Sequence, residues 1–456
     1  MSHMPPPGGF RTFTIVWLTQ SLSVVGGAMM GFALNVYLVQ GLYPEPRQRA
    51  DLALALTALN LAFFVPVVFG APLAGAFADR HDRKRTMIAA DVLNGVICLL
   101  IIVLMLRDVL QLWMLVCTGI VSALAGAFHY AAFDSSYAML VPDRLLPRAN
   151  GMMQMTWWSS GIVSPGLAAL VITLPALVYP HIAPSTQLSA ISNGVALCIA
   201  ANALTFFLSA AVLFFVHIPS PKRSDVREGG SIQTSIWADI REGGLYIWHR
   251  PPLLWLLASF TLANFIGGTG SVITPLLVKF NLAPDWASRG FTYESALALV
   301  GTLSGIGGVV GGLLLISLGG LKRRRVYGVL IPMGLSGFAN VVFGLTPLVY
   351  VAAAASLTFA LMSPLLNAHS QTIWQTVTPR ELQGRVFSIR RLIAQCTLPV
   401  GALSAGSLAA MFDPGHVLAA LGLLLVLFCT AQLFNPYLLR VEDKVWLDAL
   451  AESKRT

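Results

Sequence analysis

The side chains of this sequence that could do chemistry are few, and most stand inside long apolar runs. His129, Tyr130 and Asp134 form one cluster; Asn367, His369 and Gln371 form another. A carboxyl carried into an apolar phase costs at least about 2.5 kcal/mol in its charged form. Asp134 has no basic residue near it in its run, so it could bind and release a proton there. It could equally sit near a polar surface, hydrated, or cap a neighbouring helix. His129 and His369 are candidates for the same proton chemistry, or else hydrogen-bonded packing residues. Gln20, Asn35 and Asn264 are solitary amides in other runs. With Tyr130, Asn367 and Gln371 they could line a polar cavity.

A second group is charged throughout: Gly75-Ala-Phe-Ala-Asp79-Arg80-His-Asp82-Arg83-Lys84-Arg85. A Gly one turn before the end of an apolar helix permits close helix contact. Asp79 could face a helix N-terminus or an Arg, and the basic cluster could pair with acids and lipid phosphates. Such a segment is either a conformational latch or a passive basic loop. Asp91, shortly after it, is read as the partner of its basic residues.

The elements that must hold these residues follow from composition. Of 456 residues, 56% are apolar and only 11% charged, against roughly 25% charged in soluble domains. That excludes a soluble enzyme, a nucleic-acid binder and a disordered chain. A bilayer-spanning helix needs about 20 apolar residues. Twelve runs qualify: 13–39, 52–77, 86–106, 112–140, 151–178, 190–217, 253–280, 294–318, 326–345, 349–376, 386–411 and 417–439. The first lacks a small-residue cleavage site and is read as a retained helix. With the N-terminus placed inside, 24 of the 29 Lys and Arg fall in inside segments, as the positive-inside rule requires. The fold class is therefore all-α integral membrane, with both termini cytoplasmic. The formal charge of +9 is orienting charge and does not point to nucleic acid.

The chain also repeats. Pro142-Asp-Arg-Leu145-Leu-Pro-Arg148 aligns with Pro379-Arg-Glu-Leu382-Gln-Gly-Arg385, one after span four and one after span ten. This divides the chain into a six-helix half over 1–217, a central loop over 218–250, a second six-helix half over 251–440 and a tail over 441–456. The glycines of span eight, Gly301 to Gly312, allow close helix packing. Cys98, Cys117, Cys198, Cys396 and Cys429 all lie in apolar runs without a metal-ligand spacing, so no metal site is expected. No Gly-x-x-x-x-Gly-Lys-Ser/Thr occurs, so no internal ATPase is expected and no cofactor is implied.

The 75–85 segment resembles the signature between the second and third helices of the Major Facilitator Superfamily. Asp82-Arg83, where the general signature has Gly, resembles the branch of macrolide-efflux-like exporters, which also holds siderophore exporters. Val141-Pro142 through Arg148-Ala149-Asn150-Gly151, Pro379 through Gln383-Gly384-Arg385-Val386-Phe387, and Arg241-Glu242-Gly243 through Arg250-Pro251-Pro252-Leu253 resemble further segments of that branch. In the second half, the loop Gly319-Gly320-Leu321-Lys322-Arg323-Arg324-Arg325 has no acid. Ser164-Pro165-Gly166 is a partial match to the Gly-Pro motif of superfamily antiporters.

The resemblance implies twelve helices in two six-helix halves, with the first, fourth, seventh and tenth lining a cavity. It also implies that the second and eleventh helices meet. The latch would then join Gly75, Asp79, Arg80, Arg83 and Lys84 to Arg390. The expected function is proton-driven export of a hydrophobic or amphipathic small molecule across the inner membrane by a monomer that is not an enzyme. The alternatives are export of a siderophore or lysolipid, facilitated passage, and a membrane sensor without transport. No mid-membrane Arg or Lys stands ready for an anionic substrate, which favours a neutral or cationic one.

Overall fold

The computed structural model describes residues 8–78, 81–142, 145–178, 187–218, 241–379 and 382–453, and every regular element among them is a helix. In order these are α1 (Gly9–Val36), α2 (Arg49–Ala78), α3 (Arg83–Leu106), α4 (Leu112–Leu140), α5 (Leu146–Val178) and α6 (Gln187–Phe215). Then come α7 (Pro251–Leu276), α8 (Tyr293–Leu318), α9 (Arg325–Leu345), α10 (Val349–Val377), α11 (Gln383–Gln395), α12 (Thr397–Met411), α13 (Pro414–Gln432) and α14 (Lys444–Ser453). α11 and α12 form one apolar span.

Among the described residues, eleven spans are long and apolar enough to cross a membrane. The twelfth expected, α5, has 33 residues but a shorter apolar stretch among its described residues, Ser159–Pro175. Lipid-type exteriors go with this: Leu73, Phe214, Phe215 and Ile316 are each more than two-thirds exposed, a surface suited to hydrocarbon.

Packing divides the chain into two compact units. One is Met1–Glu228 with Phe291–Thr302; the other is Gly229–Gly290 with Leu303–Thr456. Within the first, α1 packs on α5 and α6, and α3 on α4 and α6. Within the second, α7 packs on α12 and α13, and α9 on α10 and α13. Counted from the start of each half, the pairing scheme is the same. The described ends of the repeated loops close the same bond. Leu145 N–H donates to Pro142 O at 2.8 Å, and Leu382 N–H to Pro379 O at 3.0 Å. Both α1 and α7 end in a π turn, Tyr37–Leu42 and Leu277–Asn281.

Small residues set the closest approaches. A Cβ on Gly268 of α7 would meet the Leu398 backbone, and one on Gly401 of α12 would meet Phe265 O. The space is used: Thr269 Oγ1 donates to Gly401 O at 3.1 Å, and Thr397 Oγ1 to Thr261 O at 3.0 Å. Gly307 and Gly311 of α8 press likewise on the backbone of Leu357 and Leu361 of α10, which gives the span-eight glycines their packing role. All five cysteines are free.

Candidate functional site

In the first unit, four helices contribute to one buried polar chain. Asp91 of α3 is 2% exposed. Its Oδ2 accepts from Ser209 Oγ of α6 at 2.6 Å, and Ser209 Oγ in turn accepts from Gln20 Nε2 of α1 at 2.7 Å. Its Oδ1 lies 3.3 Å from His129 Nε2 of α4. The imidazole is off the line of a hydrogen bond, so Nε2 is buried without one. A second polar link lies one turn along: Ser122 Oγ of α4 donates to Asn94 Oδ1 of α3 at 2.6 Å. Asp91 thus turns away from the basic residues that precede it, contrary to the sequence expectation, and faces α4 and α6. The reason is distance along the helix. About 12 Å of rise separates Asp91 from Arg83, and the carboxyl shares a buried stripe with Asn94 and Cys98.

Asp134 and Tyr130, on the same helix as His129, are exposed. Asn35 donates through Nδ2 to Gly31 O at 2.8 Å, while its Oδ1 is buried without a partner.

Asp79 and Arg80, the core of the expected latch, lie outside the described residues. The basic residues after them are held within their own unit. Arg83 is buried and reaches Met139 Sδ at 2.6 Å. Lys84 Nζ donates to Phe214 O at 2.8 Å, a cation at the C-terminal carbonyls of α6. Asp82 caps α3, accepting from Arg85 N–H at 3.0 Å. No described atom lies within 4 Å of a Cβ built on Gly75, so its smallness serves no described contact.

In the second unit, Arg390 of α11 donates to Gln371 Oε1 of α10 at 2.8 Å and lies over the Trp374 ring at 5.3 Å. One residue expected in a latch and one expected in a cavity therefore meet. His369 is 7% exposed and spans two backbone groups. Nε2 accepts from Leu321 N–H at 2.8 Å, so Nδ1 carries the proton and donates to Leu365 O at 2.6 Å. Asn367 is exposed and donates to Ser363 O at 2.9 Å; Asn264 is half-buried on α7.

Around this, the segment before α7 is tied down. Glu242 pairs with Arg385, Tyr246 Oη donates to Val377 O at 2.9 Å, and Arg250 donates to Asp448 Oδ1 at 2.8 Å. Burial pushes the Tyr246 phenol above its ordinary pKa.

What this arrangement can do chemically is hold protons and polar ligands. Sequence reasoning missed Ser209, a lone hydroxyl in an apolar run, and mispaired Asp91. The usable signal was spacing: Asp91, Asn94 and Cys98 recur at helical intervals, and all three are buried.

A family model described as Major Facilitator Superfamily matches residues 16–402. The chain is 25% identical to Macrolide efflux protein A of Streptococcus pyogenes over 91% of this chain and 93% of that protein. It is 23% identical to the Enterobactin exporter EntS of Shigella flexneri over 91% of each. Among solved structures, a bacterial homologue of the human lysosomal transporter Spinster, inward-facing and unoccupied, superposes with a TM-score of 0.63 at 15% identity. That match covers 98% of this chain and 97% of the other. At that identity the likeness speaks to fold alone.

Proposed function

Because the chain belongs to the Major Facilitator Superfamily, we propose that it is a secondary active exporter of hydrophobic or amphipathic small molecules of the macrolide class, driven by inward proton movement. The observation that carries this reading is the likeness to a macrolide efflux protein along nearly the full length of both chains. Without a phosphate-binding loop in the sequence, movement is driven by a gradient or is facilitated passage, and we favour the gradient. Access would alternate by rocking of the repeat-related halves, with Gln20, Asn35, Tyr130, Asn264, Asn367 and Gln371 as the candidate substrate contacts.

Proton coupling is assigned to the ionisable groups at membrane depth, His129, Asp134 and His369. His369 would act only if it gave up a backbone partner. The residues proposed for a conformational latch are Gly75, Asp79, Arg80, Arg83, Lys84 and Arg390. The Arg390 guanidinium has five N–H donors, so its bond to Gln371 leaves others for a carboxylate. The charge count, with 24 of 29 basic residues inside, supports both termini in the cytoplasm and a bacterial inner-membrane location.

A second reading, siderophore export, is favoured by the likeness to the enterobactin exporter over 91% of each chain. Inside-out vesicles carrying the protein, with an imposed pH gradient, separate the two. Addition of a macrolide is expected to dissipate the gradient, and a catecholate siderophore is not. The opposite pattern selects the siderophore reading. Flux of either compound without proton movement replaces antiport by facilitation.

A further inference from the structure

We propose that Asp91 and His129 form a proton-binding pair inside the first unit, which takes up and releases one proton between carboxylate and imidazole. The proposal names a residue for the proton coupling in the preceding reading, and for its role in transport it rests on that reading. The site itself does not.

Four observations carry it. Asp91 is buried on a helix with the length and composition of a membrane span, where an uncompensated charge is unfavourable. Among the described residues its ionisable partner is His129, with Nε2 at 3.3 Å. Nε2 is buried and without a hydrogen bond, so a small rotation of the ring completes one with Oδ1. The other carboxylate oxygen is already fixed by Ser209, which is backed by Gln20, so the carboxyl is oriented toward the ring.

The charge arithmetic is simple. A carboxylate beside a neutral imidazole leaves one negative charge in the bundle. One added proton makes the pair net neutral, as imidazole with carboxylic acid. Release restores the charge and is favoured only when water or a cationic ligand reaches the pair.

Other charges near the pair are accounted for. On α3, Arg83 and Lys84 engage Met139 and Phe214, and Arg85 is exposed. On α4, Asp134 and Tyr130 are exposed. The described side chains of α6 carry no charge, and α1 presents Gln20.

The test reads the site without transport. Infrared spectra of the purified full-length protein in lipid nanodiscs are recorded across a pH series. A protonated-carboxyl band that titrates in the wild type should vanish in Asp91→Asn. In His129→Gln its midpoint should shift by at least one pH unit, and in Asp91→Glu it should persist, displaced. Identical titrations in wild type and Asp91→Asn overturn the proposal. If Asp91→Asn does not fold, His129→Gln decides: no shift of the midpoint overturns the pair.

A second measurement uses a macrolide in vesicles. Asp91→Asn should keep macrolide counterflow, which needs no net proton transfer, and lose accumulation driven by a pH gradient at least tenfold. Retained gradient-driven accumulation in that variant, with loss in Asp134→Asn, overturns the coupling role. If wild-type vesicles move no protons with any compound, the antiport reading fails and the infrared result stands by itself.

Discussion

Both ring nitrogens of His369 are taken by backbone groups, and the ring edge fills the space that Gly328 leaves open. A Cβ on Gly328 would lie 2.5 Å from His369 Cδ2. The imidazole also satisfies the Leu321 N–H just after Gly319 and Gly320, which both have positive φ. Removing the acceptor loses a partly buried bond, worth about 0.5–1.5 kcal/mol net. His369→Ala is therefore expected to lower thermal stability in detergent. Gly328→Ala should also destabilise, but less in the His369→Ala background, because the clashing ring is gone. Additive effects in that double-mutant cycle would refute the contact.

The same residue shows how far side-chain types can be read from a sequence. That His369, Asp91 and Gln20 sit at membrane depth was legible, because apolar runs mark the depth. Their partners were not. A sequence states which residue stands at a position but not which way it faces across a bundle. Asp91 was therefore assigned to neighbours close in sequence instead of His129 and Ser209. Met139 as a neighbour of Arg83 had no signal at all.

At the scale of elements, helix contacts depend on glycine more than on hydrophobicity. In an apolar solvent, burying one more Leu gains little, and close backbone approach supplies the packing. Gly401→Ala pushes a methyl into the backbone of Phe265 on α7. It is expected to cost about 1–3 kcal/mol, as overpacking does, seen as a lower melting temperature. Gly270→Ala, with open space at its Cβ, should be close to neutral. A Gly401→Ala as benign as Gly270→Ala would show that α7 and α12 can separate.

The connection between α7 and α8 is held electrostatically. Both Asp285 oxygens accept from Arg289 Nε at 3.1 Å, and Oδ2 also accepts from Val349 N–H at 2.8 Å. These bonds hold the carboxyl below the usual carboxylate range, with the Arg289 bond the larger cause. A lowered folded-state pKa stabilises the fold when the group is ionised, above the unfolded value. The contribution is lost as pH falls through the folded value. The stability gap between wild type and Asp285→Asn should thus be full near neutrality and close on acidification below about pH 4. Melting temperatures taken over that range check it, and a gap that widens in acid refutes it. The helices on either side were plain in the sequence; this loop was not, since its bonds join Asp285 to a backbone group at position 349.

For the whole molecule, the duplication was legible because two Pro-led loops kept three matching residues, and in each the fourth residue donates to the carbonyl of the first. Eleven of the twelve expected spans are long and apolar enough to cross a membrane among the described residues, and they were legible because lipid demands long apolar runs. α5, rich in Ser, Thr and Gly, is the span where that demand is relaxed by protein neighbours: Trp17 Nε1 donates to Met152 O, and Ser164 Oγ to Val25 O. Orientation rests on charge alone. The loop Lys322–Arg325 carries four of the inside positive charges, and Arg325 also pairs with Glu442 at 3.3 Å. A reporter that matures only in the cytoplasm, fused after Thr456, is expected to be active. One that works only outside, inserted at 107–111, should be active as well. Replacing Lys322, Arg323 and Arg324 by Gln leaves the Arg325 pair in place and weakens the inside bias of the second half, because each loop is oriented by its own Lys and Arg. That variant should insert with a measurable fraction of its tail reporter silent. A fully active tail reporter would mean that the first half sets the topology and the second half follows it.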